Sequence, residues 1–293
     1  MRKNLSLFVA GLLIGIIAVT DINAQIRTPQ PSPAGTVSSV VGLTNVEISY
    51  FRPGVKGRQI FGEGAGFLIP FGQIWRTGAN SGSVLSLSTD VKIAGQDVEA
   101  GEYLIITIPG EDKWQFMLYS DLSMGGNVAS YDESMEVLRV TANTMEAPMT
   151  ERLTFNIADI SADNTSANIE LQWETTVVKV PMEVDFDEQV MADIAEKTRV
   201  NPSNYVQAAN YYLSTNRDLD KALEWVNMYL AEGDNSKQFW NVHLKARILA
   251  AMGKNKEAIK TAEASMEAAS NNPNGDFGYI KRNEDLIKEI KGK

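Results

Sequence analysis

The sequence contains no cysteine and a single histidine, His243, among its 293 residues. Without cysteine the chain forms no disulfide, has no thiol nucleophile and binds no metal through sulfur. One imidazole also excludes metal sites that are built from several histidines. The serine-hydrolase motifs Gly-x-Ser-x-Gly and Ser-x-x-Lys are absent as well. These absences favour a protein that binds something over one that catalyses sulfur, serine or histidine–metal chemistry.

Positive charge is in short supply over the chain as a whole. The formal net charge is −10 and the sequence pI is about 4.8. Such an acidic balance argues against non-specific binding to nucleic acid or to anionic lipid. Apolar residues make up 44% of the chain and charged residues 22%, which is typical of a folded soluble protein.

The N-terminus has the pattern of a secretory signal peptide in residues 1–24. Arg2 and Lys3 precede an uncharged apolar run, residues 5–19, that is too short to span a bilayer. Cleavage after Ala24 leaves a mature protein with a formal charge of −11. Because no cysteine stands at that point, a lipoprotein is excluded, and the predicted location is the periplasm or the medium. The alternative is an uncleaved N-terminal anchor. No later apolar run is long enough to predict a membrane span.

Residues 25–35 hold three prolines and are predicted to be an extended leader. Residues 36–184 show a period of two, which indicates half-buried strands. The clearest strand segments are residues 84–88, 103–108, 114–119, 138–142 and 153–157. About nine strands, separated by turn residues, predict an antiparallel β-sandwich domain.

The period changes after residue 184, and residues 185–293 are predicted to form a helical tail of six helices. Residues 219–224 align with residues 255–260, which gives a weak internal repeat of 36 residues. This spacing resembles a tetratricopeptide repeat, with two such units in the tail. Two units are few for a free-standing solenoid, so we expect them to pack on the strand domain, on each other or on a partner. The predicted class is therefore α+β, with a strand domain before a helical domain.

Basic, aromatic and amide side chains are concentrated in residues 50–80. Four cations and one acid, Glu63, lie between residues 51 and 89, although the chain is acidic. Arginine presents a planar fork of donors that suits carboxylate or phosphate, and an aromatic ring can stack on a sugar. The candidate ligand-binding residues are Tyr50, Arg52, Lys56, Arg58, Trp75, Arg76 and Asn80. The alternative is a scaffold role, in which the same arginines bind backbone carbonyls of their own loop.

Several of these residues also carry a family resemblance. The segments are Tyr50-Phe51-Arg52-Pro53, Lys56-Gly57-Arg58, Ile60-Phe61, Trp75-Arg76-Thr77-Gly78-Ala79-Asn80, Ala100-Gly101-Glu102-Tyr103, Ile108-Pro109-Gly110 and Val137-Leu138-Arg139-Val140. Together they resemble the domain of unknown function 2911 family over about residues 30–183. The resemblance implies an exported or envelope protein of Gram-negative bacteria. It implies no activity, because that family has none established.

Two function classes remain open from the sequence. The first is a non-catalytic envelope protein that binds an anionic small molecule or glycan through residues 50–80, or docks an envelope protein on its helical tail. The second is a hydrolase of an anionic glycan or ester, which requires two acids in a cleft beside the basic residues. The acidic run at residues 185–188 is either a helix cap or a weak calcium candidate. His243 is expected to be structural, and no cofactor or metal is predicted.

Overall fold

The computed structural model describes residues 28–292 and divides the chain after Glu183 into two compact units. The predicted signal peptide, residues 1–24, therefore lies outside the described residues. The first unit is built from strands and the second from helices. The predicted α+β class is confirmed, because a large antiparallel sheet precedes six helices in the described range. None of the helices described is long and apolar enough to cross a bilayer.

Eleven strands are present in the described part of the first unit. They are β1 (Ala34–Val41), β2 (Thr44–Phe51), β3 (Phe61–Gly62), β4 (Ile69–Pro70), β5 (Ser83–Leu87), β6 (Val91–Ile93), β7 (Gln96–Val98), β8 (Gly101–Ile108), β9 (Lys113–Tyr119), β10 (Glu136–Ala158) and β11 (Ser166–Glu183). Nine of them form one antiparallel sheet in the order β1-β2-β5-β8-β9-β10-β11-β6-β7. The remaining two, β3 and β4, form a short parallel pair.

Strand β10 is 23 residues long and joins two parts of this sheet. Residues 136–143 pair with β9, whereas residues 144–158 pair with β11. Register shifts interrupt the second ladder on either side of Thr150. The first shift contains Pro148, which donates no ladder hydrogen bond. The sequence predicts two separate strands here. In the structure they are one strand, since an irregular stretch of ladder continues the pairing between them.

Alternation of polar and apolar residues determines which face of the outer strands is buried. In β2, Val46, Ile48 and Tyr50 are buried, whereas Glu47 and Ser49 are exposed. A strand with one solvent-exposed face shows this alternation because successive side chains point to opposite sides of the sheet. The central strand β8 differs, because five consecutive residues of it are buried. Strand β8 is therefore buried on both faces of the sheet.

The second unit consists of six α-helices in its described residues. They are α1 (Asp187–Val200), α2 (Tyr205–Ser214), α3 (Leu219–Ala231), α4 (Phe239–Ala251), α5 (Asn255–Ser270) and α6 (Tyr279–Gly292). Small residues such as Ala208 and Ala222 allow close packing, and Trp225 and Ile248 fill the space beside them. Helices α3 and α5 begin 36 residues apart, as the sequence repeat does. The tetratricopeptide likeness itself stays a prediction.

Asn283 on α6 is fully buried and ties three helices together. Its Nδ2 group donates to Ser265 Oγ on α5 at 3.0 Å and to the carbonyl of Tyr279 at 2.8 Å. Its Oδ1 lies 2.7 Å from Nδ1 of His243 on α4. Ser265 in turn donates to the carbonyl of Phe239 at 2.7 Å. Each polar atom of this buried group is thus paired, as burial requires.

Replacing Asn283 with alanine is expected to destabilise the helical unit by about 2–3 kcal/mol. The change removes three hydrogen bonds and leaves His243 and Ser265 without their partner, and each buried unsatisfied group costs about 1–3 kcal/mol. Urea unfolding followed by circular dichroism at the helical band measures the loss. Glu284→Ala, at the exposed neighbouring position, is the control and is expected to change stability by less than about 0.5 kcal/mol. Equal effects of the two substitutions would contradict the structural role of Asn283.

Candidate functional site

The segment that follows β2 is attached to β10. Val55 donates its backbone N–H to the carbonyl of Glu151 at 2.7 Å, and Leu153 donates to the carbonyl of Pro53 at 3.0 Å. Arg52 strengthens this attachment, because its Nε and Nη2 groups donate to the Leu153 carbonyl and to Thr154 Oγ1. Residues 53–58 therefore have a fixed place beside β10, and Arg52 serves to hold them there.

Two cations of this segment project from a tight turn. Lys56 has a positive φ of 50° and Gly57 one of 70°. The guanidinium of Arg58 donates back to the carbonyls of Val55 and Gly54, which fixes its direction. Lys56 and Arg58 are both exposed, and no carboxylate of the described residues forms an ion pair with either. The Glu151 carboxylate accepts the backbone N–H of Lys56 at 3.0 Å and is not paired with either cationic group.

A second wall comes from the Trp75 turn, residues 75–82. Trp75 exchanges two backbone hydrogen bonds with Thr107 of β8, at 2.8 and 3.0 Å. Thr77 then adopts a φ of 52°, which is unusual for a β-branched residue. Its hydroxyl donates to the Trp75 carbonyl and lies 3.0 Å from the Thr107 hydroxyl, and Ser83 Oγ donates to its carbonyl. The surroundings thus hold a strained backbone in one conformation.

Four aromatic rings pack together beneath this turn. Trp75 stacks on Trp173 of β11, with ring centroids 6.0 Å apart and planes at 20°. Phe61 meets Trp114 edge-on at 4.8 Å. Such pairs contribute about 0.5–1.5 kcal/mol each beyond the area that they bury. The Nε1 group of Trp75 donates to the Gly78 carbonyl, but Nε1 of Trp114 and Nε1 of Trp173 are buried without a partner among the described residues.

Between the two walls lies a cleft of about 310 Å³, here called the basic cleft. Its lining residues are Pro31, Ser32, Pro53, Gly54, Lys56, Arg58, Leu68, Ile69, Trp75, Arg76, Gly78, Ala79 and Trp173. Three of them are cations, and no described lining residue is Asp, Glu or His. The Nε group of Arg76 is buried without a hydrogen-bond partner among the described residues. The basic cleft is therefore a positively charged cavity, and one of its lining arginines has a buried donor without a partner among the described residues.

The structure brings together four of the seven candidate residues, Lys56, Arg58, Trp75 and Arg76. The other three lie elsewhere. Tyr50 is buried and packs edge-on against Phe155 at 5.1 Å, Arg52 braces β10, and Asn80 is exposed at a φ of 54° outside the lining. Tyr50 lies on the buried face of β2 with Val46 and Ile48. The period of two in this strand could therefore have indicated that Tyr50 is a core residue.

Trp173 is the aromatic lining residue that the sequence analysis did not single out. It lies on the buried face of β11 together with Ile169 and Leu171, which made it look like an ordinary core residue. Its position in the cleft depends on the pairing of β11 with β10, where Gln172 faces Thr154. Such long-range register leaves no local mark in the sequence.

Another cluster of charged groups differs from the basic cleft because its members are paired. Arg139 donates to Glu136 and to Gln115, and Glu136 also accepts from the Tyr131 hydroxyl. The Arg139 hydrogen bond lowers the pKa of Glu136, whereas burial and the bond to Glu136 raise the pKa of Tyr131. This cluster has the signature of a structural network, in which little charge is left for a ligand.

The acidic run at residues 185–188 is also engaged within the fold. The carboxylate of Asp187 accepts from the Tyr211 hydroxyl and from Arg217, and both bonds lower its pKa. Asp185 accepts the backbone N–H of Asp187 at 3.0 Å. Within residues 28–292, no group of three or more His, Asp or Glu side chains is arranged to hold a metal ion.

The fold and the cleft define an α+β protein whose antiparallel sheet carries a basic, aromatic-walled cavity. A family model described as "Protein of unknown function (DUF2911)" matches residues 32–182, which include every residue of the basic cleft except Pro31. The chain belongs to this family, and the resemblance seen in its motifs is confirmed. Comparison with curated proteins and with solved structures gave no match.

Gly126 tests how closely the Trp75 turn is packed. A Cβ atom at Gly126 would lie 1.9 Å from the Asn80 carbonyl oxygen and 2.9 Å from Cδ of Arg76. Gly126→Ala is therefore expected to displace the turn and to destabilise the strand unit by about 1–3 kcal/mol, as overpacking does.

Thermal unfolding followed by tryptophan fluorescence measures this effect. Gly66→Ala is the matched control, because a Cβ there meets no atom within 4 Å and its backbone needs no positive φ. It is expected to leave the unfolding temperature unchanged. A Gly126→Ala protein as stable as the Gly66→Ala protein would show that the turn is not packed as described.

Proposed function

We propose that this protein is a non-catalytic binding protein of the cell envelope, and that the basic cleft holds a small molecule with a carboxylate or phosphate group. The observation that carries the proposal is the unpaired positive charge of the lining. Lys56, Arg58 and Arg76 line one cavity, none of them forms an ion pair with a carboxylate of the described residues, and no described lining residue is Asp or Glu. The oxygens of an anionic ligand would accept from these cations, and a hydrogen bond to a charged group contributes about 1.5–3 kcal/mol.

The other cations have distinct roles in this proposal. Arg58 is held by two carbonyls of its own turn and presents its remaining N–H groups in a fixed direction. Lys56 adds a mobile point charge at an exposed position. With Arg76 they place three positive charges around one cavity of a chain with net charge −10. A focused positive site on an acidic protein selects anions and speeds their capture.

The apolar part of the cleft supports a ligand that is more than an inorganic ion. Trp75, Trp173, Leu68 and Ile69 supply an aromatic and aliphatic surface beside the charges. The volume of about 310 Å³ lies at the small end of ligand-binding cavities. An organic acid or an acidic or phosphorylated monosaccharide fits both the size and the chemistry.

The composition of the lining favours binding over turnover. The hydrolase alternative requires two acids beside the basic residues, and none is present among the described lining residues. The lining contains no imidazole either. Histidine and carboxylic acids are the side chains that most often act in general acid–base catalysis near neutral pH.

Arg76→Gln is expected to weaken ligand binding at least tenfold, which corresponds to ~1.4 kcal/mol. Isothermal titration calorimetry with succinate, galacturonate and glucose 6-phosphate gives the dissociation constants. Arg76→Lys keeps the charge but loses the fork, so we expect an intermediate affinity. Lys113→Gln removes one exposed charge of β9 outside the cleft and is the control. Unchanged affinity in Arg76→Gln, or no binding of any probe by the wild type, contradicts the proposal.

Export is part of the same proposal, because residues 1–24 have the sequence of a signal peptide. In a Gram-negative host the protein recovered outside the cytoplasm is expected to begin at Gln25, as intact mass spectrometry would show. Ala24→Phe replaces the small residue at the cleavage point and is expected to leave the longer chain. Ala18→Phe changes the same residue type inside the apolar run and should leave cleavage intact. A full-length chain from the wild type would indicate an uncleaved anchor.

A further inference from the structure

A groove of about 430 Å³ lies within the helical unit, between α2, α4 and α6. It is here called the helical groove. Its polar and aromatic lining residues include Gln207 and Asn210 of α2, Trp240, His243 and Arg247 of α4, and Arg282 of α6. Trp240 is 42% exposed, although most large aromatic side chains are buried. The groove thus combines donors, amides and an exposed ring on one surface.

Two guanidinium groups of the groove have no acid to balance them. Arg247 and Arg282 are exposed, and neither forms an ion pair with a carboxylate of residues 28–292. No Asp or Glu is among the described lining residues. Arg282 lies over the Tyr279 ring, with its Cζ 4.7 Å from the ring centroid, which restricts its motion. A pair of unneutralised arginines in a shared groove is the arrangement that binds carboxylates.

The hydrogen bonds of His243 determine which of its ring nitrogens carries the proton. The Tyr279 carbonyl only accepts, so the atom of Asn283 that faces it is the amide nitrogen. The amide oxygen of Asn283 therefore faces Nδ1 of His243, at 2.7 Å, and Nδ1 must be the donor. In the neutral ring Nε2 is then the acceptor. On protonation Nε2 becomes a donor.

The surroundings of His243 oppose that protonation. Burial lowers the pKa of the imidazole, and the charges of Arg247 on α4 and Arg282 on α6 lower it further, against the opposite effect of the Asn283 bond. Tyr279 contacts the ring edge-on at 5.5 Å and is neutral, and α2 contributes no charged lining residue. The imidazole is thus neutral at pH 7 while the two arginines repel its proton.

We propose that the helical groove binds a carboxylate between Arg247 and Arg282, next to His243. The bound negative charge cancels the repulsion from the arginines and favours the protonated imidazole, whose Nε2–H becomes an additional donor. Binding is therefore coupled to proton uptake by His243. Peptides with Asp or Glu side chains and free organic acids share this chemistry. The exposed amides of Gln207 and Asn210 and the Trp240 ring offer contacts that only a peptide can use fully.

His243 is the only histidine of the chain, so its imidazole proton resonance reports on this groove alone. Full-length protein without a histidine tag is titrated from pH 8 to pH 5.5 by NMR, with no ligand, with succinate and with a peptide of four glutamates. We expect carboxylates to move the titration midpoint to higher pH. The dissociation constant should correspondingly fall about fivefold or more between pH 7.5 and pH 5.5. Tenfold tighter binding of the peptide than of succinate assigns a peptide ligand, and equal affinity assigns a free acid.

The double variant Arg247→Gln/Arg282→Gln should abolish both effects. Lys245→Gln/Lys281→Gln makes the same charge change on the same two helices outside the lining and should retain them. Loss of the effects in both double variants, an equal response to chloride or sulfate, or no movement of the midpoint would overturn the proposal. Arg76→Gln should leave the movement of the His243 midpoint unchanged, so failure at the helical groove is distinguishable from failure at the basic cleft.

Discussion

The pairing along β10, which continues through two register shifts, is the interaction on which the strand unit depends. One part of it pairs with β9, another with β11, and residues 151–153 also bind the segment after β2. Both Trp173 and residues 53–58 reach the basic cleft through this strand. The cleft is thus formed by elements distant in sequence that share one neighbour, and its shape is as stable as the sheet itself.

The arginines of the strand unit differ in the hydrogen-bond acceptors around them. That difference distinguishes arginines that stabilise the fold from arginines that line the basic cleft. Arg52 binds a carbonyl and a hydroxyl of β10, and Arg139 binds a carboxylate and an amide, so both are satisfied inside the fold. Arg58 is partly satisfied, and Arg76 has a buried donor with no acceptor in the part of the chain that the structure describes. The residue type alone therefore does not show which arginines the fold uses, whereas the acceptors around each guanidinium do.

Local patterns in the sequence were sufficient for the class of fold and for most of the helices. Period two, period 3.6 and the change between them near residue 184 reflect burial that neighbouring residues share, so they can be read from a window of the chain. Four candidate residues line the basic cleft. They lie in or beside glycine-containing turns, which the sequence indicates. The bracing role of Arg52 depends on a contact across about a hundred residues. The position of Trp173 and the continuity of β10 depend on the register between strands, which the pattern of a single strand does not contain.

The strained backbone of the Trp75 turn has a consequence for how this family can diversify. Positive φ angles fall at Thr77, Gly78, Asn80 and Gly82, while Arg76 carries no such demand. The side chain at position 76 can therefore change without any change in main-chain conformation. Under the binding proposed for the basic cleft, a relative with a different residue there would keep the turn and alter the charge of the cavity.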